Sequence, residues 1–271
     1  MIKKEKMNCC LVQADIISED KYLNFITYER LLQKITTMPD IIIFPEMFSC
    51  GFLEKINDMS ETDTGESVSF LKSVSSHYQC AVHASCPIKE DNKLYNRLFW
   101  IEKGEIKAYY DKRHLFFGCE KTYFSSGNQR IILSYNNWNF LPITCYDVRF
   151  PRWCRNQYFA EEKRFAYDVL IVTANFPASR AFAFQTLLTA RAIENQTYVV
   201  AVNRIGKDGF NNYHKGQTQI IDPMGNIIAK IPDNQQGIVE YALDKNYLNN
   251  LRLAFPICED WDNTIDDYLY K

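Results

Sequence analysis

Apolar residues in this chain come in short unbroken runs, each bounded by polar or turn-forming residues. Six stand out: NCCLVQ (8–13), DIIIFP (40–45), CAVHASCPI (80–88), NFLPITC (139–145), DVLIVTAN (168–175) and TYVVAVNR (197–204). Runs this short and this apolar predict strands covered on both faces, because a half-exposed strand would alternate. Between them the period lengthens. Residues 21–37 place Tyr22, Phe25, Tyr28, Leu32 and Ile35 at three- and four-residue steps, which predicts one helical stripe. Residues 66–78 do the same with Val68, Leu71, Val74 and Tyr78, and residues 181–196 with Phe184, Leu187 and Leu188. Alternation of strand and helix predicts an α/β fold. Two further segments read as hairpins, 95–112 turning at Lys103-Gly104 and 218–231 turning at Asp222-Pro-Met-Gly225. With no linker-like stretch and no repeat, residues 1–271 read as a single domain.

Composition narrows the function classes. A hydrophobic share of 46% over 271 residues is enough to build a core around a polar site. A net charge of −2 without a basic tract argues against nucleic acid as a partner. No run approaches the roughly 18 apolar residues of a membrane helix. The start, MIKKEKMNCCLVQAD, lacks the apolar stretch of roughly 7–15 residues that a signal peptide carries. Nine cysteines, an odd number, show neither C-x-x-C nor zinc-finger spacing. They read as free thiols of a cytoplasmic protein, mostly packed as small hydrophobes, with no metal site.

Ligands of α/β sheets collect at the carboxyl ends of strands. Three chemically able side chains stand there: Glu46 after DIIIFP, Lys112 after AYYD, and Cys145 after NFLPIT. Each alone has a plain structural explanation. Together they form a working set, because a thiol is mostly protonated at neutral pH. A carboxylate can remove its proton, and an ammonium can hold an oxyanion. Cysteine, carboxylate and lysine therefore suffice for acyl transfer.

FPEMFSCGF, YYDKRHLF and CYDVRFPRW resemble, in order, the three signature blocks of the nitrilase superfamily, the carbon–nitrogen hydrolases. Further matches lie in Asn175-Phe176-Pro177, LLTARAIENQTYVVAVNRIG (187–206) and IIDPMGNIIA (220–229), so the resemblance spans most of the chain. It implies a Glu46–Lys112–Cys145 triad, and a second glutamate, Glu120, in a loop ending near a glycine. It also implies a four-layer α-β-β-α sandwich that pairs as a homodimer. The helix after Pro151 (RWCRNQYFA) and the tail from about residue 256 are the expected contributors to pairing, with packing on the body as the tail's alternative. DKRHLF and CYDVRFP look most like the omega-amidase branch, which acts on 2-oxoglutaramate or 2-oxosuccinamate.

The implied reaction passes through a cysteine thioester and requires no cofactor. The oxyanion would be held by Lys112 and a backbone N–H, that of Tyr146. Arg149 either meets a substrate carboxylate or holds Asp147 or a neighbouring loop. Phe116, Tyr123 and Phe176 are the expected pocket walls. Other readings remain at this level: a different linear amide, an N-carbamoyl amine or a nitrile as substrate; a Cys–His hydrolase using His77, His83, His114 or His214; or a ligand-binding protein without catalysis on the same fold.

Overall fold

The structure, a computed structural model, describes residues 4–261. Two six-stranded sheets carry the fold. The first runs, from edge to edge, Gly237–Asp244, Lys6–Gln13, Ile41–Ile43, Ala81–Glu90, Lys93–Glu102 and Glu105–Asp111. The second runs Ile227–Lys230, Gln219–Ile221, Tyr198–Asn203, Val169–Ala174, Trp138–Thr144 and Leu133–Tyr135. Central neighbours are parallel in both sheets, and hairpins add the outer strands.

Alternate positions of each strand serve two different cores. Ile41 and Ile43 belong to a cluster shared with Phe140, Ile171 and Val200 of the other sheet, so the sheets pack face to face. Ile42 points the other way, into a cluster with Tyr28, Leu71 and Val74 of the helices Lys21–Leu32 and Glu66–Tyr78. On the far side, the helix Ala181–Asn195 buries Phe184, Leu188 and Ala192 against Leu141, Leu170 and Val199. The layers are therefore helix, sheet, sheet, helix, and the unbroken apolar runs follow from burial on both faces.

Two expectations change, and for the tail one of two alternatives is met. The first helix stops at Leu32 rather than running to residue 37, because the backbone N–H groups of Thr36 and Thr37 are taken by the Glu240 carboxylate. The stretch after Pro151 makes a single turn, Pro151–Cys154, not a helix for pairing. There the N–H of Asn156 turns to the Asn195 side chain and that of Gln157 to the Asn156 side chain. Of the expected tail, the described part packs back on the body, with Trp261 against Phe165 and Arg155. The rest lies outside the described residues.

Candidate active site

Each reactive side chain leaves the end of a strand. Glu46 follows Ile41–Ile43; its neighbours are fixed by Phe44 N to His83 O and Met47 N to Ser85 Oγ, at 2.9 and 3.0 Å. Lys112 follows Glu105–Asp111 and is clamped through both backbone groups, its N–H to Asn96 O and its carbonyl to the N–H of Gly127. A β-carbon on Gly127 would stand 2.1 Å from the Asp111 carbonyl oxygen, so only glycine allows this close return of the loop. That loop carries Glu120.

Cys145 begins the tight turn Cys145–Arg149 after the strand Trp138–Thr144 and takes φ 46°, a left-handed conformation costing an L-residue about 1–2 kcal/mol. Asp147, fully buried, holds the turn. Its Oδ2 accepts from Thr144 N (3.1 Å) and Tyr110 OH (2.7 Å), and its Oδ1 from His114 N (2.9 Å). One carboxylate thus ties the Cys145 turn to the segment bearing Lys112. Arg191 adds two hydrogen bonds to Val148 O, at 3.1 and 2.8 Å.

The structure brings Glu46, Lys112, Glu120 and Cys145 together, all buried. Lys112 Nζ donates to Glu46 Oε1 at 2.8 Å and to Glu120 Oε2 at 2.7 Å. An ammonium has three N–H donors, so one remains. Asn96, which the sequence did not single out, bridges the same two carboxylates through Nδ2 at 2.8 and 3.1 Å. The N–H of Phe116 completes the partners of Glu120 at 2.7 Å. Glu120 is thus bound at both oxygens, whereas Oε2 of Glu46 has no well-formed hydrogen bond among the described residues. The Cys145 thiol is close enough for its titration and that of Glu46 to act on each other. Such nucleophile–base contacts are often loose before substrate binds.

Burial and neighbouring charges shift the titration of each group in the cluster. Burial, reinforced by Glu120, holds the Glu46 carboxyl above its ordinary range against the pull of Lys112. Burial opposes charge on Lys112, yet Glu120 and Glu46 together keep its ammonium well above the usual lysine range. Burial and the Glu46 charge push the Cys145 thiol well up, while Lys112 and the Asn175 backbone N–H pull it down. Both groups of the pair therefore hold their protons more tightly than they would in water, and the sulfur rests as the thiol.

Cys145, Lys112 and Glu120 open onto a pocket that also receives Phe116, Tyr146, Arg149 and Phe176. Arg149 lies over the Phe176 ring at 5.5 Å and has no hydrogen bond to Asp147 among the described residues, so it faces the pocket instead of holding that turn. Tyr123 is the exception. It packs on the cluster of Met47, Leu53 and Leu115 at the end of the turn Cys119–Tyr123 and does not line the pocket. Sequence reasoning did not place Asn175, Arg180 or Asp208 in the pocket, which they line together with His214, named there only as a partner for cysteine.

Among the histidines, His114 is held by Asp147 at 2.7 Å and stacks on Phe150 at 3.7 Å. His83 lies in the core against Trp100. His214 reaches the pocket but is paired with Asp208 at 3.2 Å. The carboxyl beside Cys145 is that of Glu46, which removes the basis for a Cys–His pairing.

A buried thiol, two carboxylates and an ammonium at the mouth of a pocket define the class, a site equipped for acyl transfer through cysteine. Comparison with known proteins gives the family. The family model for carbon–nitrogen hydrolases matches residues 10–253. Omega-amidase YafV of Escherichia coli K12 is 34% identical, over 93% of this chain and 95% of its own. The 2-oxoglutaramate amidase of Bacillus subtilis is 29% identical, over 94% and 97%. XC1258 of Xanthomonas campestris, a solved CN-hydrolase superfamily protein, superposes with a TM-score of 0.92 at 33% identity, covering 96% of this chain and 98% of the other. The chain belongs to the carbon–nitrogen hydrolase family, within the nitrilase superfamily, and is a hydrolase of carbon–nitrogen bonds other than peptide bonds.

Proposed function

We propose that the chain is an omega-amidase, releasing ammonia from the terminal amide of a small 2-oxo acid of the 2-oxoglutaramate or 2-oxosuccinamate type. The observation that carries this is the pairing of a buried Glu46–Lys112–Glu120–Cys145 cluster with Arg149 in the same pocket. An amide carbon has a nucleophile there, and a distant carboxylate has a guanidinium, whose fork suits it.

Glu46 removes the Cys145 proton at its free Oε2 as sulfur attacks the amide carbon. The raised affinity of Glu46 for protons makes it a stronger base than an exposed carboxylate. The oxyanion takes the remaining N–H of Lys112 and the backbone N–H of Tyr146, each such donor contributing about 3 kcal/mol. Protonated Glu46 then returns the proton to the nitrogen, the carbon–nitrogen bond breaks, and ammonia leaves an acyl thioester. Water, activated by Glu46, hydrolyses the thioester. Glu120, with both oxygens bound, positions Lys112 rather than serving as the base. Phe116 and Phe176 wall the acyl chain.

We also take the chain to act as a single-domain cytoplasmic homodimer. Eight of its nine free cysteines are buried, and Phe182 and Ile193 on the helix Ala181–Asn195 are exposed, as a pairing face requires. Among the described residues no helix is long and apolar enough to cross a membrane.

Ammonia release from 2-oxoglutaramate, 2-oxosuccinamate, glutamine, asparagine, a simple nitrile and an N-carbamoyl amine, run side by side, tests the reading. The two 2-oxo amides should dominate. Turnover confined to the nitrile or the carbamoyl amine would reject the omega-amide assignment while leaving the cluster intact.

A further inference from the structure

Asn175 stands at the end of the strand Val169–Ala174, beside the strand that ends at Cys145; their register pairs Thr173 with Thr144. Its backbone N–H lies near enough to the Cys145 sulfur to favour the thiolate. Its side chain is 6% exposed and lines the pocket. Nδ2 donates to the Glu46 carbonyl oxygen at 3.4 Å. That partner can only accept, so the network settles which end of the amide is nitrogen and turns Oδ1 away from Glu46. Among the described residues Oδ1 has no partner. A buried acceptor left unpaired costs about 1–3 kcal/mol, which marks a place where a donor is expected.

We propose that Asn175 Oδ1 accepts a hydrogen bond from the leaving nitrogen of the scissile amide and makes the site selective for primary amides. The inference rests on the amidase reading and deepens it. When the substrate oxygen turns to Lys112 and the Tyr146 N–H, the NH2 group must enter a buried region with its own two donors to satisfy. A carboxamide provides what Oδ1 lacks; an ester does not. The contact also bears on departure. In the tetrahedral intermediate the nitrogen has two N–H bonds and a lone pair. With one N–H held by Asn175, the lone pair stays available for the proton that Glu46 took from sulfur. The carbon–nitrogen bond then breaks, the electron pair leaves on nitrogen, and ammonia carries off that proton.

The test compares 2-oxoglutaramate with the methyl ester of the same acyl group, which forms the same thioester but has no N–H on its leaving group. Asn175→Leu should lower kcat/KM for the amide about 50-fold, the equivalent of one lost buried hydrogen bond. The ester should change by less than threefold, about what an unaltered acyl half allows. Asn175→Ala, which leaves space instead of a new apolar wall, should give the same split. Ester turnover in each variant reports an intact Cys145 and Glu46. Equal losses on both substrates would overturn the proposal, since they mean a structural or acyl-side role, as would an unchanged amide rate. Wild-type cleavage of the ester without ammonia release from any amide would reject the amidase reading itself, and the role of Asn175 with it.

Discussion

Replacing Lys112 with methionine removes one charge from a site that holds three. Glu46 and Glu120 are then left 0% and 1% exposed, sharing the single amide of Asn96. Removing one member of a buried ion pair typically costs about 3–5 kcal/mol, because the other charge is left without compensation. The loss must depend on pH. The Glu46 carboxyl is already held above its ordinary range, and without the ammonium it rises further. A carboxyl whose folded pKa exceeds its unfolded value of about 4.3 stabilises at low pH and loses that contribution as pH rises through the folded value. For one such proton the slope is about 1.4 kcal/mol per pH unit. Urea denaturation followed by tryptophan fluorescence suits the test, since Trp100 and Trp138 are buried in the core. At pH 8.5 Lys112→Met should be about 3–5 kcal/mol less stable than wild type. The deficit should shrink as pH is lowered from there, with no return of activity. A deficit independent of pH would refute the charge assignment.

Other perturbations probe separate parts of the account. Arg149→Leu should raise KM for 2-oxo amides roughly 10- to 100-fold, the loss of one charge-assisted hydrogen bond, with little change in kcat; an unchanged KM in steady-state assays would place the substrate carboxylate elsewhere. Asp147→Asn replaces an acceptor by a donor facing either Thr144 N and Tyr110 OH or the His114 N–H groups. It should cost about 3 kcal/mol in thermal or urea unfolding, two charge-assisted hydrogen bonds, and about 100-fold in kcat/KM through misplacement of sulfur relative to Lys112. Burial drives the His83 imidazole down to about 3. Since the unfolded side chain titrates near 6.5, wild type should lose about 1.4 kcal/mol per pH unit as pH falls from about 6.5 toward 3. His83→Leu should remove that share of the acid sensitivity, read from denaturation midpoints between pH 7 and 4.

The strands and the reactive groups were legible in the sequence for different reasons. Ile41-Ile42-Ile43 is apolar throughout because alternate residues enter alternate cores, and that pattern survives in the sequence. The strand Gly237–Asp244 was not legible: it lies at a sheet edge, mostly half-buried, and GIVEYALD carries no clean period. Glu46, Lys112 and Cys145 could be found because strand ends are where chemistry collects and because three motif blocks flank them. Asn96 was hidden inside the strand Lys93–Glu102, where a polar residue next to Arg97 gives no hint of two carboxylates across the sheet end. Tyr123 failed for the opposite reason. Proximity in sequence to Glu120 does not bring a side chain into the pocket, and Tyr123 is taken up by the neighbouring cluster of Met47, Leu53 and Leu115. Asp208 and His214 come from the hairpin strands Ile205–Lys207 and Tyr213–Lys215 and the loop joining them, which enter the pocket only through tertiary packing.

The central claim concerns sulfur. Wild-type enzyme mixed with 2-oxoglutaramate, quenched in acid within milliseconds and examined by intact-mass and peptide mass spectrometry, should show the acyl group, less ammonia, attached at Cys145. Cys145→Ala should show none and should release no ammonia. Ammonia formed without an adduct in wild type, or formed by Cys145→Ala, would contradict the account.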